Sequence, residues 1–164
     1  MTLTLQDLTD HTEITGLIDR YLRSLDEARF DDAWARGLFT ADIRISTPVG
    51  DQQGLDGLAE AERATMAKFR RTQHIGTNHL IDLDGDRATV RWNALMTHVH
   101  LDTADGRFVV GGTFSGEVVR TDAGWRFRRL EVRAVWTQGE GPRVRTAKAE
   151  QTLRELNGTG TAPR

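Results

Sequence analysis

The feature that most constrains this chain is a change of periodicity near its middle. From residue 76 onward four runs, 76–83, 87–101, 107–120 and 124–137, are rich in Val, Thr, Trp and Phe. Only Asp84-Gly85-Asp86, Thr103-Ala104-Asp105-Gly106 and Thr121-Asp122-Ala123-Gly124 separate them. Gly and Asp tolerate the positive φ that tight turns require. Connections this short cannot hold the crossover that a parallel pair needs. The segment therefore predicts an antiparallel meander. Gly111-Gly112 and Gly116 fall inside a strand pattern and predict a bend or bulge there.

The first half repeats at helical spacing instead. Ile14, Leu17, Ile18, Tyr21, Leu22 and Leu25 recur as i, i+3, i+4, i+7, which predicts an amphipathic helix over 12–26. Asp10 or Thr12 is its expected cap, with Glu13 placed to complete a capping box with Asp10. A second helix is expected over 31–39, capped by Asp31 and buried through Ala33, Trp34, Leu38 and Phe39. Residues 43–47 alternate as a short strand that stops at Pro48, and a third helix is expected from Asp56 to Phe69. Helices first and strands later give an α+β layout, with helices on one face of the sheet. The expected shape is a cone: a strongly curved antiparallel sheet, barrel-like, closed by about three helices over a pocket. That domain takes residues 1–140, and 141–164 form an extension with a helix over 143–156 and a frayed end.

Composition narrows the function. The chain has 164 residues, enough for one domain with a core of its own. It contains no cysteine, which excludes disulfides, thiolate metal sites and a Cys nucleophile. Twenty-two basic against 24 acidic residues leave a net charge of −2 and no global field for nucleic acid. Arg126, Arg128, Arg129 and Arg133 read as the solvated face of a strand. There is no apolar run long enough for a bilayer and no signal-peptide pattern, so a cytoplasmic protein without membrane contact is expected. No glycine-rich dinucleotide or phosphate loop is present.

Five histidines are available: His11, His74, His79, His98 and His100. Along 88–100, Ala88, Val90, Trp92, Ala94, Met96, His98 and His100 share one strand face. That face predicts a pocket wall, with Trp92 and Met96 in its lining and a histidine rim. Spacing leaves open which of His98 and His100 faces the pocket. The two do not complete a metal-ligand set, and none is expected. His74 is placed between the third helix and the first long strand. Tyr21 lies on the buried stripe of the first helix and Asp26 at its end, ~140° apart around a continuous helix. Both reach one cavity only if the helix ends or bends near Leu25.

Ile14, Tyr21, Leu25-Asp26, Phe30-Asp31 and Phe39-Thr40-Ala41-Asp42 are followed by Thr72-Gln73-His74, Asn78, Ile81-Asp82, Gly85-Asp86 and Ala88. Gly124-Trp125-Arg126-Phe127 completes the series. Over roughly residues 8–140 this order resembles the SnoaL-like proteins of the nuclear-transport-factor-2-like superfamily. The nearest branch holds scytalone dehydratase and the bacterial bile-acid dehydratases. The resemblance implies the same cone fold. It also implies catalysis by His74 with Asp26, a hydrogen bond from Tyr21 to a substrate oxygen, and a second pocket histidine matching His98 or His100. The second substrate-positioning tyrosine of scytalone dehydratase has no match, because Tyr21 is the single tyrosine.

The expected function is a cofactor-independent lyase or isomerase acting on an apolar oxygenated ring compound of polyketide or steroid type. An aldol cyclase or a cofactor-free oxygenase could use the same pocket. A non-catalytic binding protein or subunit is the alternative if Asp26 and His74 do not meet. The expected assembly is a homodimer or homotrimer built on the outer sheet face, where a broad sheet needs cover.

Overall fold

A capping box sets the start of the first helix. In the computed structural model, which describes residues 4–101, 106–142 and 146–158, α1 spans Leu5–Glu27. Thr4 Oγ1 accepts from the Asp7 backbone N–H at 3.1 Å, and the Asp7 carboxylate accepts from the Thr4 N–H at 2.7 Å. Asp10 and Thr12, the expected caps, therefore lie inside the helix. The apolar stripe did not reveal these first turns because their leucines, Leu5 and Leu8, are exposed. Asp10 has a different task. It is buried, and its carboxylate accepts from Arg120 at 2.7 Å and from Trp125 Nε1 at 3.3 Å, tying α1 to the sheet. Ile14, Leu17, Ile18, Tyr21, Leu22 and Leu25 are buried, as their spacing predicts. The helix ends on Ala28, whose φ of 52° breaks the α conformation.

The second helix, α2 (Asp32–Leu38), is capped by Asp31, which accepts from the Trp34 N–H at 2.7 Å. Ala35 and Leu38 form its buried face with Phe39, while Ala33 is exposed. Next come β1 (Phe39–Thr47), β2 (Gly50–Gln53) and α3 (Leu58–Met66). The long strands follow as β3 (Phe69–Asp84), β4 (Arg87–His100), β5 (Arg107–Thr121) and β6 (Gly124–Gln138), then α4 (Ala147–Gly158). The turn residues Thr103, Ala104 and Asp105 lie outside the described residues, as do 159–164 at the expected frayed end.

Strands β3 to β6 pair antiparallel in chain order, as the short turns require. The six-stranded sheet runs β2-β1-β6-β5-β4-β3. It is mixed, because β1 joins β6 in parallel, and it does not close: β2 and β3 are its edges. The helices complete the cone that the sheet leaves open. The glycines mark its irregularities. The β5–β6 register shifts between Gly111 and Gly112 and again between Glu117 and Val118. A Cβ on Gly112 or Gly116 would lie 2.7 Å from the Arg133 carbonyl oxygen or 2.4 Å from that of Arg129. Glycine is what permits this approach of the two backbones.

Strand β3 begins well before the expected residue 76. Phe69 pairs with His100 and Thr72 with His98, so β4 recruits the preceding polar residues into the sheet along its whole length. His74 consequently sits within a strand, opposite Met96, rather than at a helix–strand junction. No helix among the described residues is long and apolar enough to cross a membrane.

Candidate active site

Three chain segments meet around the end of α1. Asp26 lies in its last turn, where the helix dipole disfavours a negative charge. Strand β3 supplies the compensation. Thr72 Oγ1 donates to Asp26 Oδ1 at 3.0 Å, the His74 backbone N–H donates to Oδ2 at 3.0 Å, and His74 Nδ1 donates to Oδ1 at 2.7 Å. Burial alone pushes the Asp26 carboxyl up. The hydrogen bonds from the His74 side chain and backbone and from Thr72 outweigh it, so the group ends below its ordinary value. With Nδ1 committed to the carboxylate, Nε2 is the ring atom left for a ligand.

His74 opens onto a cavity of about 180 Å³ between the sheet and the helices. Tyr21 and Leu25 of α1, Met96 and His98 of β4, and Phe108, Val110 and Phe114 of β5 form much of its wall. Val132 and Ala134 of β6 and Ala149 and Leu153 of α4 continue the apolar surface. The C-terminal helix thus forms part of the wall. It is anchored by Lys148, whose Nζ lies 2.5 Å from Asp51 Oδ1, and by Thr146 Oγ1, which donates to the Val49 carbonyl at 2.6 Å.

The second histidine of the wall is His98. Its Nδ1 donates to the Phe108 carbonyl at 3.1 Å, and its ring meets that of His74 edge-on, centroids 5.4 Å apart. Burial first, and the neighbouring His74 second, lower His98 to about 4, so it is neutral at physiological pH. His100 is buried behind the wall, where its Nε2 bonds the Glu140 carbonyl at 2.7 Å. Spacing alone could not separate the two. Trp92, expected in the lining, belongs to the core instead: it is fully buried and stacked on Phe114 with centroids 4.8 Å apart. Met96 does reach the cavity.

Tyr21 faces the cavity with Phe39, Phe114 and Phe127 set edge-on around its ring. Burial raises its phenol well above the ordinary value, which keeps it a hydrogen-bond donor. The geometric question left by the sequence resolves through His74. Tyr21 lines the cavity directly, whereas Asp26 stands outside the lining and acts through the imidazole. Sequence reasoning missed Glu62, Lys68 and Phe69, which also line the cavity. For Glu62 a signal existed, since Leu58, Glu62 and Met66 recur every fourth residue on one helix face. Among the described residues no three His, Asp or Glu side chains converge as a metal site would require.

The profile of the SnoaL-like domain matches residues 6–131. The chain belongs to the SnoaL-like family. A Novosphingobium aromaticivorans protein named as a candidate scytalone dehydratase is 25% identical, with a TM-score of 0.77 over 88% of this chain and 96% of that one. A nuclear-transport-factor-2-like superfamily protein of Salmonella enterica is 26% identical, with a TM-score of 0.69 over 77% and 91%. The hexachlorocyclohexane dehydrochlorinase LinA-type3 of Novosphingobium barchaimii shares the fold at 16% identity, with a TM-score of 0.72 over 87% and 97%. No curated protein matches the chain significantly. The cone expected for a SnoaL-like chain of the nuclear-transport-factor-2-like superfamily is the fold observed.

Proposed function

We propose that this SnoaL-like protein is a cofactor-independent lyase that eliminates water from a β-hydroxy carbonyl compound carried on an apolar ring. One observation carries the reading: the 2.7 Å hydrogen bond from His74 Nδ1 to a carboxylate that two further β3 groups hold in place, at the wall of an apolar cavity. The names of two structural neighbours, a candidate dehydratase and a dehydrochlorinase, both describe β-elimination, which supports the same class of chemistry.

His74 Nε2 takes the proton α to the carbonyl, and Asp26 stabilises the imidazolium that forms. The electron pair of the broken C–H bond moves into an enolate, whose oxygen accepts from the Tyr21 hydroxyl. As the enolate collapses, the C–O bond at the β carbon breaks. The imidazolium returns its proton to the departing hydroxide, giving water and a conjugated enone. Neutral His98 accepts the substrate hydroxyl through Nε2 and aims it at His74. A binding-only role would suit a structure in which Asp26 and His74 stood apart, and their direct bond favours catalysis.

The test is turnover of ring β-hydroxy ketones, followed by the ultraviolet absorbance of the conjugated product. His74→Ala should lower kcat ~10²–10⁴-fold with little change in folding stability. Near-wild-type turnover in His74→Ala would remove the dehydratase reading. We also propose that the protein self-associates as a homodimer or homotrimer through the outer sheet face, where Ile75, Leu95 and Trp136 are exposed.

A further inference from the structure

Strand β3 enters the sheet through a bulge. Phe69 pairs with His100 and Arg71 with Val99, so two steps along β3 answer one step along β4 and Arg70 is the extra residue. Without the bulge, the register from Arg71 onward would set Arg70 opposite His100 on the inner face and turn Phe69 outward. The bulge reverses this. Arg70 is exposed, and Phe69 lines the cavity.

The ring turned inward meets His98. Their centroids lie 4.5 Å apart with the planes inclined by 41°, the shortest ring contact His98 makes among the described residues. Phe69 also reaches His100, at 5.8 Å. Phe108 approaches the His98 ring at 6.0 Å, and its carbonyl accepts from Nδ1 at 3.1 Å. His74 meets the same imidazole edge-on at 5.4 Å.

We propose that Phe69 is a positioning residue of this site: its ring, turned inward by the bulge at Arg70, fixes the His98 imidazole so that Nε2 meets a ligand hydroxyl as an acceptor. The assignment rests on the lyase reading, in which that hydroxyl departs, and names a residue on which its alignment depends. The bond to the Phe108 carbonyl holds one ring atom and leaves the imidazole free to tilt about it. A ring packed against the imidazole removes that freedom. Phe69 also keeps water from His98. Burial is the largest cause that lowers His98 to about 4, and with Nδ1–H given to Phe108 the neutral ring carries its lone pair on Nε2. The charged or titratable groups that act on His98 are His74 of β3, Asp26 of α1 behind it, and His100 of β4. Tyr21, Glu62 and Lys68 line the cavity as well, whereas β5, β6 and α4 contribute no ionisable lining residue.

The test is an NMR titration of the His98 imidazole in the full chain, its signals identified by their loss in His98→Gln. The wild-type ring should stay neutral until pH falls towards about 4. Phe69→Ala should raise the midpoint by about one unit or more as water reaches the ring, and Phe69→Leu by about half a unit. Phe69→Tyr keeps the ring and should hold the wild-type midpoint. Val132→Ala, which opens the cavity wall on β6, should leave it unmoved. In turnover of ring β-hydroxy ketones, Phe69→Ala should lower kcat about tenfold with KM within about threefold, and Phe69→Tyr should restore most of the loss. An unmoved midpoint in Phe69→Ala, an equal shift in Val132→Ala, or a loss confined to KM overturns the proposal. Should Phe69→Ala fail to fold, the midpoint in Phe69→Leu decides by the same rule. The titration needs no turnover, so the contact stands or falls on the midpoints whatever His74→Ala does to the lyase reading.

Discussion

At the scale of single residues, the site depends on a carboxylate that never touches the cavity. Asp26→Asn keeps the shape and one acceptor but loses the charge opposite the imidazolium, so turnover should fall while the fold remains. The Asp26→Asn/His74→Ala double variant should be little slower than His74→Ala alone, since in the proposed elimination the two residues act as one unit. Multiplied losses in single-turnover kinetics would show that they act separately. Glu62 yields a prediction about stability. Its carboxyl rises from 4.5 to about 7 on folding, so its protonated form is favoured in the folded state. Its contribution is therefore fully present below pH 4.5 and is lost as pH rises through about 7. Glu62→Gln, which cannot ionise, should leave stability unchanged near pH 4 and raise it by ~1–3 kcal/mol near pH 8 in urea unfolding. A pH-independent difference would mean that the carboxyl is solvated. In the sequence, Asp26 and His74 stood out through a family pattern and not through spacing, because their contact joins residues 48 positions apart. Glu62 carried a fainter signal, its place with Leu58 and Met66 on one face of α3, but a glutamate between Ala61 and Arg63 reads as solvent-facing until something is seen to cover it.

At the scale of elements, the meander was legible from its turns, and the helix faces from their period. The start of β3 was not, since Arg70, Arg71 and Thr72 carry no strand signal and are extended because β4 is long enough to pair with Phe69, Arg71 and Thr72. Depth was also illegible. Alternation places Trp92 and Met96 on one face of β4, but only the stacking of Trp92 on Phe114 shows that one is core and the other wall. The C-terminal helix had weak signals and read as an appendage, yet α4 supplies Ala149, Thr152, Leu153 and Leu156 to the cavity. Ending the chain after residue 142 should therefore weaken binding of a ring β-hydroxy ketone about tenfold, while costing no more than ~2 kcal/mol of stability, since among the described residues it removes one buried apolar side chain, Ala149, and Leu153, which packs only partly against the core. Calorimetric binding and thermal unfolding of the truncated chain check both halves. Unfolding of the truncated chain would show that α4 is part of the core instead.

At the scale of the whole molecule, the sheet has one face on the cavity and helices and another turned outward. Ile75, Leu95, Gly111 and Trp136 stand opposite one another across β3, β4, β5 and β6, forming an apolar row on that outer face. Ile75, Leu95 and Trp136 are 49%, 41% and 46% exposed and form a contiguous row that a second copy would cover. Light scattering at micromolar concentration should give a dimer or trimer, and Trp136→Ser should shift the population towards monomer. A monomeric wild type would count against self-association.

Gly111 has a consequence of another kind. The Trp136 indole lies so close over it that an added Cβ would fall 2.1 Å from the ring, so the indole rests against bare backbone while 46% of the residue stays exposed. Trp92 and Trp125 are buried and Trp34 is half-buried. Trp136 is thus the chain's built-in optical reporter, the indole that iodide should quench and whose emission should move to shorter wavelength when a second copy covers it. Trp136→Phe would subtract that signal while leaving the emission of the interior intact.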